Sequence, residues 1–167
     1  LNNQPLAPPI IQNELVGSFA LNSDGSVLAT GDFAGVLRLW DTSTGQMLGD
    51  PIFEHERGIN AITFSPDDRI FASGGFYEII LRDIESRQAI IPPILTGADT
   101  LIFQPNTTNL IFAKYGGGFP AYVWDYTNRD LVGEIDEYYT SFGVITFSPT
   151  NQFAASSHLE YINFGSR

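Results

Sequence analysis

A length of 167 residues suits a single domain, and 43% hydrophobic with 13% aromatic residues is enough apolar material for a large core. Nineteen acidic residues oppose eight basic ones, giving a net charge of -11 with no basic cluster; this excludes a phosphate-neutralising surface for nucleic acid or an anionic membrane and leaves a protein or peptide, best a basic one, as the partner class. The absence of cysteine excludes disulfides, thiol catalysis and cysteine-held metals.

The first element in chain order is a phrase, Gln4–Ile10, that returns as Gln46–Ile52 and Gln88–Ile94 at a step of 42. In all three copies the glutamine, the last proline and the closing isoleucine keep their places. A period of this size marks one supersecondary unit copied along the chain, each copy burying its apolar face against the next. After the phrase comes an apolar run ending in a polar turn: Leu21–Gly25, then Phe64–Asp68, Phe103–Asn106 and Phe147–Asn151. Proline, aspartate, asparagine and glycine at the end of an alternating run predict a tight hairpin. Each turn leads into a short strand, Val27–Thr30, Ile70–Ser73, Leu110–Ala113 or Phe153–Ser156, whose small last residues suit a crowded interior. A glycine- or aromatic-rich connection then enters a third strand closed by Trp40-Asp41, Arg82-Asp83, Trp124-Asp125 or Phe164-Gly165. No window sustains apolar residues at helical spacing, so each unit reads as four short antiparallel strands and the fold as all-β.

A Trp-Asp pair closing the third strand, a Ser-Pro-Asp turn and the step of 42 together resemble the WD-repeat β-propeller family, over essentially the whole chain. The resemblance implies β-propeller blades of four antiparallel strands. On that frame, residues 1–10 are the outer strand of a preceding blade. Residues 11–52, 53–94 and 95–135 are WD-like repeats, and 136–167 form a partial repeat lacking its outer strand. These are about four blade equivalents, and the resemblance implies a larger ring of about seven blades. The alternative is that the leading strand completes the last unit, closing a small ring or pairing with another copy. The family's buried His–Ser/Thr–Asp–Trp tetrad is incomplete in every unit. The unit that begins near His55 has Ser73, but no aspartate in its turn and Arg82 in place of tryptophan. The first unit has Thr30 and Trp40, with Ala34 at the aspartate's place. Apolar packing is therefore expected to hold the blades more than the tetrad does. Trp40 and Trp124 are expected between blades, and Arg82 is expected to stack on a ring or to pair with Glu78 or Asp83.

No catalytic, cofactor or metal site emerges. His55 stands between Glu54 and Glu56, yet the second histidine, His158, is remote in sequence, and a structural histidine is the better reading. Asp67-Asp68 lies in a hairpin turn, whose chemistry accounts for it. Gly116-Gly117-Gly118 is followed by Phe119-Pro120 rather than Lys-Ser/Thr, which makes it a flexible hairpin and not a phosphate cradle. Asn106-Thr107-Thr108 fits a glycosylation sequon by chance alone.

One pattern invites a functional reading. The connections between second and third strands carry Phe33, Phe76, Tyr77, Tyr115 and Phe119, and the connection before the fourth unit carries Tyr138 and Tyr139. In a propeller both kinds of connection emerge on one rim, which would also hold Glu54, Glu56, Asp99, Glu134, Asp136 and Glu137. Aromatic side chains dominate interface hot spots, and surrounding carboxylates steer a basic partner. Phe33, Phe76, Tyr77, Phe119, Tyr138 and Tyr139 are thus the candidate partner-binding residues; packing of these rings between blades is the competing explanation. The function expected is a non-catalytic scaffold for protein–protein contact in the cytoplasm, with protein, peptide or the remainder of its own propeller as partner. The alternative is a regulatory or ligand-sensing segment of a larger multidomain signalling protein.

Overall fold

The computed structural model describes residues 9–114 and 120–135, and beyond them the backbone of Phe142–Phe147, Phe153–Ser157 and Ile162–Gly165. Every described element is a strand, and each unit is an antiparallel meander. The first sheet runs β1 (Val16–Leu21), β2 (Val27–Asp32), β3 (Val36–Asp41) and β4 (Ile52–Phe53) in that spatial order. The second comprises β5 (Ile59–Phe64), β6 (Ile70–Gly75) and β7 (Ile79–Asp83). The third comprises β8 (Thr100–Phe103), β9 (Asn109–Ala113), β10 (Ala121–Asp125) and β11 (Asp130–Ile135), and the fourth comprises β12 (Phe142–Phe147), β13 (Phe153–Ser157) and β14 (Ile162–Gly165). Innermost strands pack on one another in the order β1, β5, β8, β12, so the sheets stand face to face as blades about a common axis.

The hairpin turns fold for the local reasons their sequences give. Asn22 O accepts from Gly25 N, and Gly25 takes a φ of 73° that glycine tolerates without strain. In the second sheet Asp68 occupies the left-handed region at φ 56°, and its carboxylate reaches back to the first sheet, accepting from Ser23 N at 2.9 Å. Asp41, Asp83 and Asp125 end their third strands by accepting hydrogen bonds from the backbone of the next turn: Ser43 N and Thr44 N, Ser86 N, and Thr127 N and Asn128 N. These bonds hold the Asp125 carboxyl well below the ordinary carboxylate range, the bond from Asn128 N first among them.

Two apolar seams hold consecutive sheets together. Ala29, Leu37 and Leu39 of the first sheet meet Ile59, Ile62 and Phe71 of the second. Ala72, Ile79 and Leu81 of the second meet Leu101, Phe103, Leu110 and Phe112 of the third. Close approach depends on glycine: a side chain on Gly31 would overlap Ile59, and one on Gly74 would press on Ala98 and Leu101. Burying such side chains stabilises each seam by about 1.5–3 kcal/mol per residue.

The fourth strand of the second sheet is not a continuous strand. It is reduced to isolated bridges, Arg82 with Ala89 and Ile79 with Ile94. Pro92 and Pro93 between them have no N–H to offer a ladder and a fixed φ. The first sheet shows a milder version: Trp40 bridges Met47, the chain bulges through Gly49–Pro51, and pairing resumes at Ile52–Phe53.

Candidate functional site

The connections between second and third strands emerge beside the segments that enter the next sheet. Phe33, in the β2–β3 turn, lies against Gly58, where an added Cβ would sit 3.2 Å from its ring. Ala98 N donates to Gly75 O at the end of β6, and Gly97 packs under the backbone of Phe76 in the β6–β7 turn. These turns and entry segments therefore share one rim. On it Phe33, Phe76 and Tyr77 are 60%, 45% and 58% exposed, so their rings do not fill the seams between sheets. The Phe76 and Tyr77 rings tilt against each other with centroids 6.4 Å apart, and the Arg57 guanidinium stands 5.7 Å from the Tyr77 centroid. Arg57 adjoins Gly58, so Phe33, Arg57, Tyr77 and Phe76 form a continuous stretch of rim. Phe119, Tyr138 and Tyr139, with Tyr115, lie outside the described residues, as do Asp136, Glu137 and residues 1–8 of the leading phrase.

The carboxylates of this rim are not equally available. Glu54 is committed to Arg82: Arg82 Nε donates to Glu54 Oε2 at 2.5 Å, with a second close contact from Nη2 to Oε1. Neither Glu78 nor Asp83 partners Arg82. Asp83 is occupied by Ser86, and Glu78 faces His55 Nδ1 at 3.7 Å. Asp99 accepts from Asn60 Nδ2 at 2.7 Å, across the second seam. Glu56 is exposed, and Glu78 is pushed up by desolvation and then by the nearby Glu56 charge. Glu56 and Glu78 are thus the carboxylates beside the Tyr77–Phe76 rings.

Beneath the rim lie the polar chains that occupy the tetrad positions. In the first sheet Trp40 Nε1 donates to Thr30 Oγ1 at 2.8 Å, and the Thr30 hydroxyl donates to Gln12 Oε1 at 2.5 Å. In the second, His55 Nε2 and Ser73 Oγ are 2.8 Å apart and His55 Nδ1 has no hydrogen-bond partner among the described residues. Burial pushes the His55 imidazole down to about 4, so it is neutral at pH 7. In the third, Phe112 replaces the hydroxyl residue, and the enclosed Trp124 Nε1 finds no partner among the described residues.

Sequence reasoning missed two members of this layer. Gln12 stands 18 residues before Thr30, as His55 stands 18 before Ser73, and that shared interval would have revealed it. Asp32 is fully buried; its Oδ1 accepts from Ala34 N and Val36 N at 2.9 Å each, and its Oδ2 pairs with Arg38 Nη1 at 2.6 Å. It takes over, from two positions earlier, the turn-fixing work expected at Ala34. These arrangements are neutral, buried or ion-paired. Among the described residues no group of three His, Asp or Glu side chains could hold a metal.

The family described as "WD domain, G-beta repeat" matches residues 12–41 and 50–77. The chain carries WD repeats. Its four meanders are β-propeller blades, and WD-repeat domains generally mediate protein–protein interaction without catalysis. Over 118 residues the chain is 30% identical to apoptotic protease-activating factor 1 of Homo sapiens, a match covering 66% of the chain and 9% of that relative. Over 148 residues it is 25% identical to the periodic tryptophan protein 2 homolog of Dictyostelium discoideum, covering 85% of the chain and 16% of the relative. The chain thus spans a small fraction of these relatives. The crystal structure of the computationally designed Ika4 protein superposes with a TM-score of 0.75, at 18% identity, over 96% of both chains.

Proposed function

We propose that this chain is a non-catalytic scaffold that binds a protein or peptide on the rim bearing Phe33, Arg57, Phe76 and Tyr77. The observation that carries the reading is that three aromatic rings from two consecutive blades are exposed there in one stretch joined by Arg57. Aromatic rings and arginine are the residue types that supply most binding energy at protein interfaces. The net charge of -11, with Glu56 and Glu78 beside the rings, favours a partner with basic residues. Phe119, Tyr138 and Tyr139 extend the proposed surface on the sequence frame. A regulatory segment of a larger signalling protein is the second reading, favoured by the match to apoptotic protease-activating factor 1, a much longer protein.

Capture of partners by the wild-type chain and by a Phe33→Ser, Phe76→Ser double variant tests the proposal. The variant is expected to lose partner binding by about tenfold or more while its thermal midpoint stays nearly unchanged. Higher salt is expected to slow association. Undiminished capture by the folded double variant would remove the rim from the interface.

A further inference from the structure

Between the rim rings and the polar layer beneath them, the second blade holds three groups that lack a positive partner. His55 is 7% exposed, its Nε2 is engaged with Ser73 Oγ, and its Nδ1 has no hydrogen-bond partner among the described residues. That nitrogen faces Glu78 Oε1 at 3.7 Å, too far for a hydrogen bond. Glu78 also feels the charge of Glu56, which adds to desolvation in pushing its carboxyl up. Among the described residues no lysine or arginine forms an ion pair with Glu56 or Glu78: Arg82 is taken by Glu54, and Arg57 stands over the Tyr77 ring. The backbone that carries these groups is already packed. The β2–β3 turn closes on the carbonyls of His55 and Arg57, where a side chain on Gly35, at φ 82°, would overlap both. On the other side a Cβ on Gly75 would sit 2.8 Å from His55 Nδ1, so the imidazole lies directly on the end of β6.

We infer that Glu78 and Glu56, backed by His55, form a subsite for one arginine side chain of the partner, an assignment that rests on the rim as the binding surface. A guanidinium presents a planar fork of five N–H donors and stacks on aromatic faces, whereas an ammonium is a compact, strongly hydrated point charge. The fork can answer two carboxylates that come from different connections of one blade. Its plane can lie on the Phe76 ring, which is 45% exposed, while the Tyr77 ring already carries Arg57. With the imidazole proton on Nε2 and donated to Ser73 Oγ, the bare Nδ1 lone pair deepens the negative potential behind Glu78. His55 is neutral at pH 7 and sets no opposing charge against the incoming cation. Because the carboxylates stand on fixed backbone, little ordering is left for the binding step.

Titration of the 167-residue chain with acetyl-arginine amide tests this, read from the His55 ring nitrogen shifts in NMR and assigned by their loss in His55→Gln. The expected result is a saturable shift. Acetyl-citrulline amide, of the same shape without the charge, is expected to cause none, and acetyl-lysine amide to bind several-fold more weakly. Glu78→Gln is expected to weaken arginine binding by about tenfold and Glu56→Gln by about threefold. Glu85→Gln removes the same charge at an exposed position beyond the opposite end of β7, and is expected to change binding by less than about twofold. All three variants are expected to keep the wild-type strand signal in circular dichroism. An equal shift with citrulline, or arginine binding that Glu78→Gln leaves unchanged, overturns the inference. Lysine bound as tightly as arginine overturns the assignment to a guanidinium. Partner capture separates this subsite from the rim reading. Capture that survives Glu78→Gln but is lost in the Phe33→Ser, Phe76→Ser variant rejects the subsite alone, and capture indifferent to both rejects the rim with it.

Discussion

The first and second blades solve the same problem with different chemistry. Both must fill the slot at the end of the third strand, where Trp40 and Arg82 stand in equivalent places. In the first blade one neutral relay runs from the Trp40 indole through the Thr30 hydroxyl to the Gln12 amide. In the second, the arginine cannot join such a relay, and the layer splits into two pairs, Arg82 with Glu54 and His55 with Ser73. The ion pair is largely buried, and desolvation lowers the Arg82 guanidinium from its ordinary value. The lesson is that the tetrad position accepts different polar sets under a packed surface rather than one residue set, and that each leaves one buried N–H or ring nitrogen without a partner among the described residues: Gln12 Nε2, His55 Nδ1 and Trp124 Nε1. A hydroxyl on the second strand recurs in both blades. The third, with Phe112 there, leaves its indole N–H without a partner among the described residues.

The largest expected effect comes from the first blade. Trp40→Ala removes a buried ring and leaves Thr30 without its donor, and urea unfolding is expected to show a loss of about 3–5 kcal/mol. A loss below about 1 kcal/mol would mean that the relay is ornamental and the comparison empty.

Next is the ion pair of the second blade. Glu54→Ala strands Arg82 and is expected to destabilise by about 2–3 kcal/mol, discounted from the fully buried case because both side chains touch solvent. The double change Glu54→Met, Arg82→Met is expected to be milder than Glu54→Ala alone, since it leaves no uncompensated charge. If the double variant is the worse of the two, the pair is favourable in itself and the blades differ more deeply than argued.

The histidine sharpens the contrast by its pH response. Its folded-state value lies below the unfolded one, about 4 against 6.5, so the unfolded chain takes up the proton first. The stability tied to neutral His55 is therefore complete above about pH 6.5 and is lost as pH falls from there to about 4, on the order of 2 kcal/mol in all. His55→Gln installs the residue type the first blade uses and is expected to flatten that part of the stability–pH curve. An unaltered slope would assign the acid response to other groups.

A smaller effect is expected from Thr30→Val, which preserves shape but removes the centre of the relay, costing about 1–2 kcal/mol. Ser73→Ala in the second blade interrupts only one pair and is expected to cost less, on the order of 1 kcal/mol. Thermal denaturation of the two side by side should show this order, and equal losses would mean that the blades are equally wired.

The sequence made the repeat readable because turn chemistry and strand periodicity are local properties. Leu21–Gly25 and Phe64–Asp68 turn where their residues say they must, and the third strands end at the aspartates. The polar partners were less legible because they are set by three-dimensional proximity. Arg82 signalled its need for a carboxylate, but of its near neighbours in sequence Asp83 is held by Ser86 and Glu78 faces His55, and Glu54 reaches it from the preceding connection. Asp32 escaped notice because a buried aspartate two positions early does the work of the missing one. The fourth strand of the second unit was expected whole from the phrase Gln88–Ile94, although Pro92-Pro93 within it argued for a break. Exposure of Phe33, Phe76 and Tyr77 follows from how the turns meet the next entry segment, which no single window of sequence records.

The interrupted outer strands have a consequence for the perimeter. A ring of blades ends on its circumference in outer strands, so each repeat adds one unpaired edge on which a foreign strand could template. Here every described outer edge is broken: by Gly49–Pro51 in the first sheet, by Pro92-Pro93 in the second, and in the third by a bulge at Val132 flanked by the exposed charges of Asp130 and Glu134. Light scattering on warming should show earlier aggregation in a Pro92→Val, Pro93→Thr chain than in the wild type. That outcome would give the proline that returns at a step of 42 a second task, keeping a fold rich in sheet edges from growing edge to edge.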